Sequence, residues 1–246
     1  MKFVFLISST FLLSFFSLGK VDEIKSPLIS IEINQSVVSG KVTLPPTSTA
    51  TTRRFRGSAY RNRGTTSSTG DEKSQSNPYL NTVVSLHPLS FEIAKLKASD
   101  SVQIIQKDAR FIPQVTPVTV GSIVQFVNDD SFYHNVFSLT PGAKFNIGRR
   151  PTGDVYSKEV PPIRWKVSGL GPIDLFCDIH SQMNAIILSL DTPYFSQLNV
   201  DGSFSLSNIP SGTYELRVYN RRFDLYTQEI SVTDNEPLDI NINVLN

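Results

Sequence analysis

Apolar and polar positions alternate in short runs along most of the chain, with Gly, Pro, Asn and Asp between them. Alternation with period two, punctuated by turn formers, predicts strands, and helical periodicity is hard to find anywhere. The first strand candidate is SVVSGKVTLP (36–45) and the second is NTVVSLHPLSFEI (81–93). A compact series follows through 102–190: VQIIQKDARFIP, TVGSIVQFVND, HNVFSL, IRWKVSG, IDLFCD and NAIILSL. Short strands at this spacing predict a sandwich or barrel of about 90 residues. The last stretch adds SQLNVDGSFSLS, IPSGTYELRVYN, LYTQEISV and LDININV. In the first of these, Asp201-Gly202 predicts a type I′ hairpin turn between alternating segments. The expected class is all-β.

Two segments break the pattern. Lys2, the apolar run Phe3 to Phe16, and the small residues Ser17 and Gly19 predict a cleavable secretory signal over 1–19. That run is shorter than the roughly 20 residues a bilayer-spanning helix needs. No cysteine follows it to carry a lipid, and no later segment is expected to span a membrane. The expected location is therefore periplasmic or secreted. Residues 46–79 are rich in Thr, Ser, Gly, Arg and Asn and poor in aliphatic side chains, which predicts a long flexible loop. Within it, RRFRGSAYRNR interleaves five arginines with Phe55 and Tyr60. A solvated loop is the plain expectation, and docking to an acidic protein is the sharper one.

At 246 residues there is room for one large β domain or two small ones. The net charge of +1 gives no global argument for nucleic acid, and none is expected as a partner. The one cysteine matters more. Exported proteins that use cysteine for stability use it in pairs, so an unpaired thiol there is a liability unless something occupies it.

That thiol, Cys177, lies in FCDIHSQM with His180 and Met183, three residues apart each time. Cys177 ends an apolar strand and Met183 leads into another, so the stretch between them is a tight loop that can bring all three side chains to one point. Thiolate, imidazole and thioether are soft donors that select copper or zinc over magnesium or calcium. Structural zinc favours four strong ligands, whereas two histidines and a cysteine with a weak methionine make a blue-copper set. The second histidine must come from elsewhere. His134 lies between two strands in VNDDSFYHNVFSL and ranks far ahead of His87, which is expected at a surface or strand edge. Asp224, Glu229, Asp234 and Glu236 are expected as solvated strand edges, and no catalytic constellation accompanies them.

FVNDDSFYHNVFSL followed by CDIHSQMNAIILSL resembles the cupredoxin family of the plastocyanin and amicyanin type, over about 102–191. The pattern F-x-N-x-D, H-N-V-F-S, C-D-I-H-x-x-M is also similar to exported cupredoxin-like proteins labelled methylamine utilisation proteins. The resemblance implies one type 1 copper held by His134, Cys177, His180 and Met183. It implies that Asn135 ties the two ligand loops together and helps bring a backbone N–H to the thiolate. It implies electron exit through His180 toward a redox partner protein docked nearby. The proline that often precedes the second histidine in this family is Ile179 here. VSGKVTLP, NTVVSLHP and NVDGSFSLSNIPSGTYELRVYN resemble a carboxypeptidase regulatory-like, prealbumin-like sandwich. That resemblance implies a second domain split over 27–45, 80–98 and 194–246, with the copper domain inserted in it. The expected function is an exported electron carrier and not an enzyme. Copper storage, delivery or resistance, or a binding module with structural copper, are the alternatives.

Overall fold

The computed structural model describes residues 35–46, 77–94, 96, 98 and 101–245. The expected signal over 1–19 and the arginine-rich stretch lie outside these. All the described residues belong to one compact unit, Ile33–Asn246. They form an all-β structure whose only helix is a single 3-10 turn at Pro78–Asn81. No helix among them is long and apolar enough to cross a membrane.

In chain order the strands are β1 (Gln35–Thr43), β2 (Val83–Pro88), β3 (Val102–Lys107), β4 (Arg110–Ile112), β5 (Val115–Thr119), β6 (Ile123–Asn128), β7 (Phe137–Ser138) and β8 (Phe145–Asn146). There follow β9 (Val155–Glu159), β10 (Leu170–Phe176), β11 (Asn184–Leu190), β12 (Phe195–Gln197), β13 (Ser203–Pro210), β14 (Gly212–Tyr219), β15 (Tyr226–Val232) and β16 (Leu238–Asn243). They make four sheets, ordered β13-β1-β16, β12-β2-β14-β15, β4-β3-β6-β9 and β5-β11-β10-β7-β8.

The alternation explains the pairing of sheets into layers. Val38 and Val42 of β1, Phe204 and Leu206 of β13, and Leu86, Leu216 and Val218 from the β2 sheet fill one buried core. Ile104, Val124 and Phe126 from the β3 sheet meet Ile173, Leu175, Ala185 and Ile187 of β10 and β11 in a second. Side chains two apart share a face, so each strand gives its apolar set to one core and its remainder elsewhere. At Gly40 the chain has no room for a side chain. A Cβ there would fall 1.9 Å from the carbonyl oxygen of Ile240 on the neighbouring β16.

β2 and β11 are buried on both faces and help join the layers. In β11, Ala185 and Ile187 point into the second core while Ile186, Leu188 and Leu190 point into a third. In β2, Val84 and Leu86 enter the first core while Val83 enters that same third one. Tyr219 and Phe195 complete it, and Trp165 packs edge-on to Tyr219 with ring centroids 6.0 Å apart. A continuous apolar run such as AIIL is what a strand covered on both sides requires.

Three local expectations are corrected. The end of the segment expected as loop, 77–79, already enters a 3-10 turn, which Asn77 caps by accepting the Tyr79 N–H at 2.9 Å. SQLNVDGSFSLS is not a two-stranded hairpin: β12 pairs with β2 and β13 with β1, in different sheets. Its turn is not type I′ either, since of the Asp201-Gly202 pair Gly202 alone has a positive φ, at 84°. The Gly202 N–H bonds the Asn199 carbonyl at 3.0 Å, a type I turn followed by a left-handed glycine. His87, expected at a surface or edge, is instead 6% exposed inside a four-stranded sheet.

Candidate metal centre

The antiparallel register of β10 and β11 pairs Phe176 with Asn184 and so pins the loop 177–183 at both ends. The Met183 N–H bonds the His180 carbonyl at 3.0 Å and tightens the loop's second half. Cys177 therefore leaves β10, and Met183 enters β11, with little freedom. His134 arrives on the connection from β6 to β7, which crosses between the two sheets. It follows β6 by a short turn and is fixed by a two-bond bridge to Arg150, with N···O distances of 3.1 and 2.6 Å. Asn128 holds the same segment through its amide, which donates to the carbonyls of Phe132 and Arg150 at 2.9 and 3.0 Å.

These elements bring Cys177 Sγ to 3.9 Å from His134 Nδ1 and 3.8 Å from His180 Nδ1. One donor atom from each of the three residues lies within 4.8 Å of the others. Nitrogen and sulfur donors bonded to one transition-metal ion at about 2.0–2.3 Å stand roughly 3.6–3.8 Å apart. The observed separations fit that value and are long for direct hydrogen bonds. The donor set is soft, and two of its members are buried: Cys177 is 5% exposed and His134 0%. Met183 is 1% exposed and packs in the same core as Cys177. Asn135 is buried beside His134, and its side-chain oxygen has no hydrogen-bond partner.

The sequence singled out neither Asp130 nor Phe132 as part of this centre. His134 Nε2 stands 2.6 Å from the Asp130 carboxylate. Burial pushes the Asp130 carboxyl up, but hydrogen bonds from His134 and from the backbone N–H groups of Ala109 and Asp108 outweigh it and hold it below the usual carboxylate range. The Phe132 ring stands 5.0 Å from that of His134 and 5.2 Å from that of His180, and the two imidazoles are 4.8 Å apart. Phe132, Tyr133 and Ile179 are each more than one third exposed. With Arg149 and His180 they line an open hollow over the centre. Arg150 faces away, ion-paired with Asp154 at 3.6 Å and stacked on Tyr156.

No family model and no curated protein matches this sequence. Solved structures overlap it in part. A reduced tryptophan-to-tyrosine mutant of amicyanin is 17% identical, over 36% of this chain and 81% of that one, at a TM-score of 0.31. A purple cupredoxin from Nitrosopumilus maritimus is 23% identical, over 35% of this chain and 97% of that one, at 0.29. The copper-containing nitrite reductase of Thermus scotoductus SA-01 is 21% identical, over 43% of this chain and 26% of that one, at 0.33. Overlaps at such scores carry no functional inference.

A second polar cluster lies where the buried outer faces of β2 and β11 meet. His87 Nδ1 is 3.1 Å from Asp191 Oδ1, and His87 Nε2 is 3.0 Å from Ser85 Oγ. Atom for atom this is the string of an acyl-transfer triad. Ser85, however, is 1% exposed in mid-strand and presents no face to a substrate. The cluster is a junction. Arg217 pairs with Glu215 in the same sheet and donates to the carbonyl of Ser168 at 2.7 Å, across to the loop before β10. Burial holds the His87 imidazole below its ordinary value, against the hydrogen bond it donates to Asp191, which raises it. The hydrogen bond it accepts from His87 holds the Asp191 carboxyl below its own.

Proposed function

We propose that this is an exported type 1 copper protein that carries one electron at a time between redox partner proteins. His134, Cys177 and His180 are the three strong ligands and Met183 the weak fourth. The observation that carries this reading is the convergence of one thiol and two imidazole nitrogens, drawn from the β6–β7 and β10–β11 connections, at ligand spacing. Bound copper would supply a reversible one-electron change. The chain's part is to hold the donors still, since a ligand set fixed by strand ends changes little between oxidation states. Burial of Cys177 and His134 keeps water and small oxidants from the thiolate, and His180, at the hollow, is the edge left near the surface. That favours outer-sphere exchange with a docked partner over turnover of a small substrate at the metal, and so a carrier over an enzyme. Export rests on the apolar stretch near the start of the sequence. Asn135 is assigned to positioning the ligand loops through its buried amide.

We also propose that the β3–β11 sandwich is an insertion in a second sandwich of the carboxypeptidase regulatory-like kind. What supports this is that β1 and β2 find their partners in β12 to β16, on the far side of the sandwich in sequence.

Cys177→Ser tests the metal reading. It should abolish the thiolate-to-copper colour while leaving the β-sheet circular dichroism unchanged. Retention of the same visible band in that variant would rule the thiolate out.

A further inference from the structure

His134 is 0% exposed, so its ring orientation is set by what surrounds it. One ring nitrogen faces Cys177, and the other, Nε2, meets Asp130 Oδ2 at 2.6 Å. Asp130 is itself 7% exposed. Its two oxygens also accept the backbone N–H groups of Asp108 at 2.7 Å and Ala109 at 3.0 Å. Those two residues form the β3–β4 turn, both with left-handed φ of 52° and 51°. The Asp130 backbone N–H is taken by Asn128 Oδ1 at 3.1 Å. The nearby Lys107 is committed to Asp129 at 2.6 Å rather than to Asp130. The carboxylate thus grips a hairpin turn on one side and an imidazole on the other.

We infer that Asp130 is the positioning residue of the centre: it fixes His134 with the proton on Nε2 and the lone pair on Nδ1, aimed at the site, and places a buried negative charge behind that ligand. The inference rests on the copper reading above only for its redox consequence. A carboxylate behind a ligating imidazole raises its basicity and fixes its ring. The same charge favours the more positive oxidation state of a bound ion, so it lowers the reduction potential.

Two measurements test this. The first is the nitrogen NMR spectrum of His134 in the metal-free wild-type protein at neutral pH. The inference expects Nε2 to carry the proton, and a proton on Nδ1 overturns it. The second is copper affinity and potential in Asp130→Asn, with Asp129→Asn as a control for loss of an exposed charge nearby. Cu(II) affinity is expected to fall about 10–100-fold. Cu(I) affinity should fall less, and each tenfold difference between the two raises the potential by about 59 mV. Asp129→Asn should change neither. Equal weakening of both oxidation states, with an unchanged potential, would make Asp130 merely structural and overturn the inference. If the wild-type protein takes up no copper, the proposed function fails, and the NMR measurement still decides the role of Asp130. It also decides if Asp130→Asn does not fold.

Discussion

At the scale of single residues, Met183 separates packing from ligation. It is among the largest fully buried side chains and lies in the core beneath Cys177. Met183→Ala should cost about 2–5 kcal/mol of stability through the cavity it leaves. Met183→Leu nearly conserves volume and should cost less than about 1.5 kcal/mol. If the thioether ligates, the leucine variant keeps its fold but shifts its potential and visible spectrum. Identical spectra for wild type and Met183→Leu would make Met183 a wall of the site. Cys177, His180 and His134 were legible in the sequence because spacing and strand ends constrain where such side chains go. Asp130 was not, although its motif was visible: nothing in a string of residues says that the carboxylate four positions before His134 turns inward to it. Phe132 escaped for a similar reason. Its contact with both imidazoles depends on the path of a turn, and turn paths leave little trace in an apolar pattern.

At the scale of elements, period-two alternation located most strands to within a few residues, since each strand needs one face dry. It said less about which strands pair. SQLNVDGSFSLS has the pattern of a hairpin, yet its halves enter different sheets, β12 beside β2 and β13 beside β1. The same limit explains His87. A histidine before a proline looks peripheral, but β2 is covered on both faces, and Ser85 and Asp191 satisfy its two nitrogens. The consequence is a pH dependence. Burial lowers the His87 pKa in the folded protein, whereas the unfolded chain titrates near about 6.5. Both states are neutral above that value, so the full contribution is present at neutral pH. As pH falls through the window below about 6.5, the unfolded state takes up the proton first and stability is lost, by at most about 1.4 kcal/mol per pH unit. Asp191, also lowered, loses its contribution only at more acid pH. Chemical denaturation of metal-free wild type between about pH 7.5 and 5.5 should show a steeper loss than His87→Gln. Parallel slopes would contradict a buried neutral imidazole.

At the scale of the whole molecule, two sandwiches share one compact unit, with the buried faces of β2 and β11 between them. Length bounded the number of domains to one large or two small. The strand order that interleaves distant segments became visible only in three dimensions. β2 and β12 are antiparallel neighbours, with Phe195 opposite Ser85, and the Thr192 hydroxyl donates to the Leu86 carbonyl at 2.7 Å. A chain in which a short Gly-Ser turn joins Ser90 directly to Thr192 should therefore still fold as a β protein with cooperative unfolding, as an insertion requires. A chain so shortened that lacked sheet structure would contradict the proposed domain arrangement.

The central claim is that a thiolate and two imidazoles from different elements hold one copper ion. Titration of the metal-free protein with Cu(II), followed by visible absorption and EPR, tests it most directly. The account predicts an intense thiolate charge-transfer band saturating at about one ion per chain, with no such band in Cys177→Ser. A folded wild-type protein that stays colourless through the titration would contradict it.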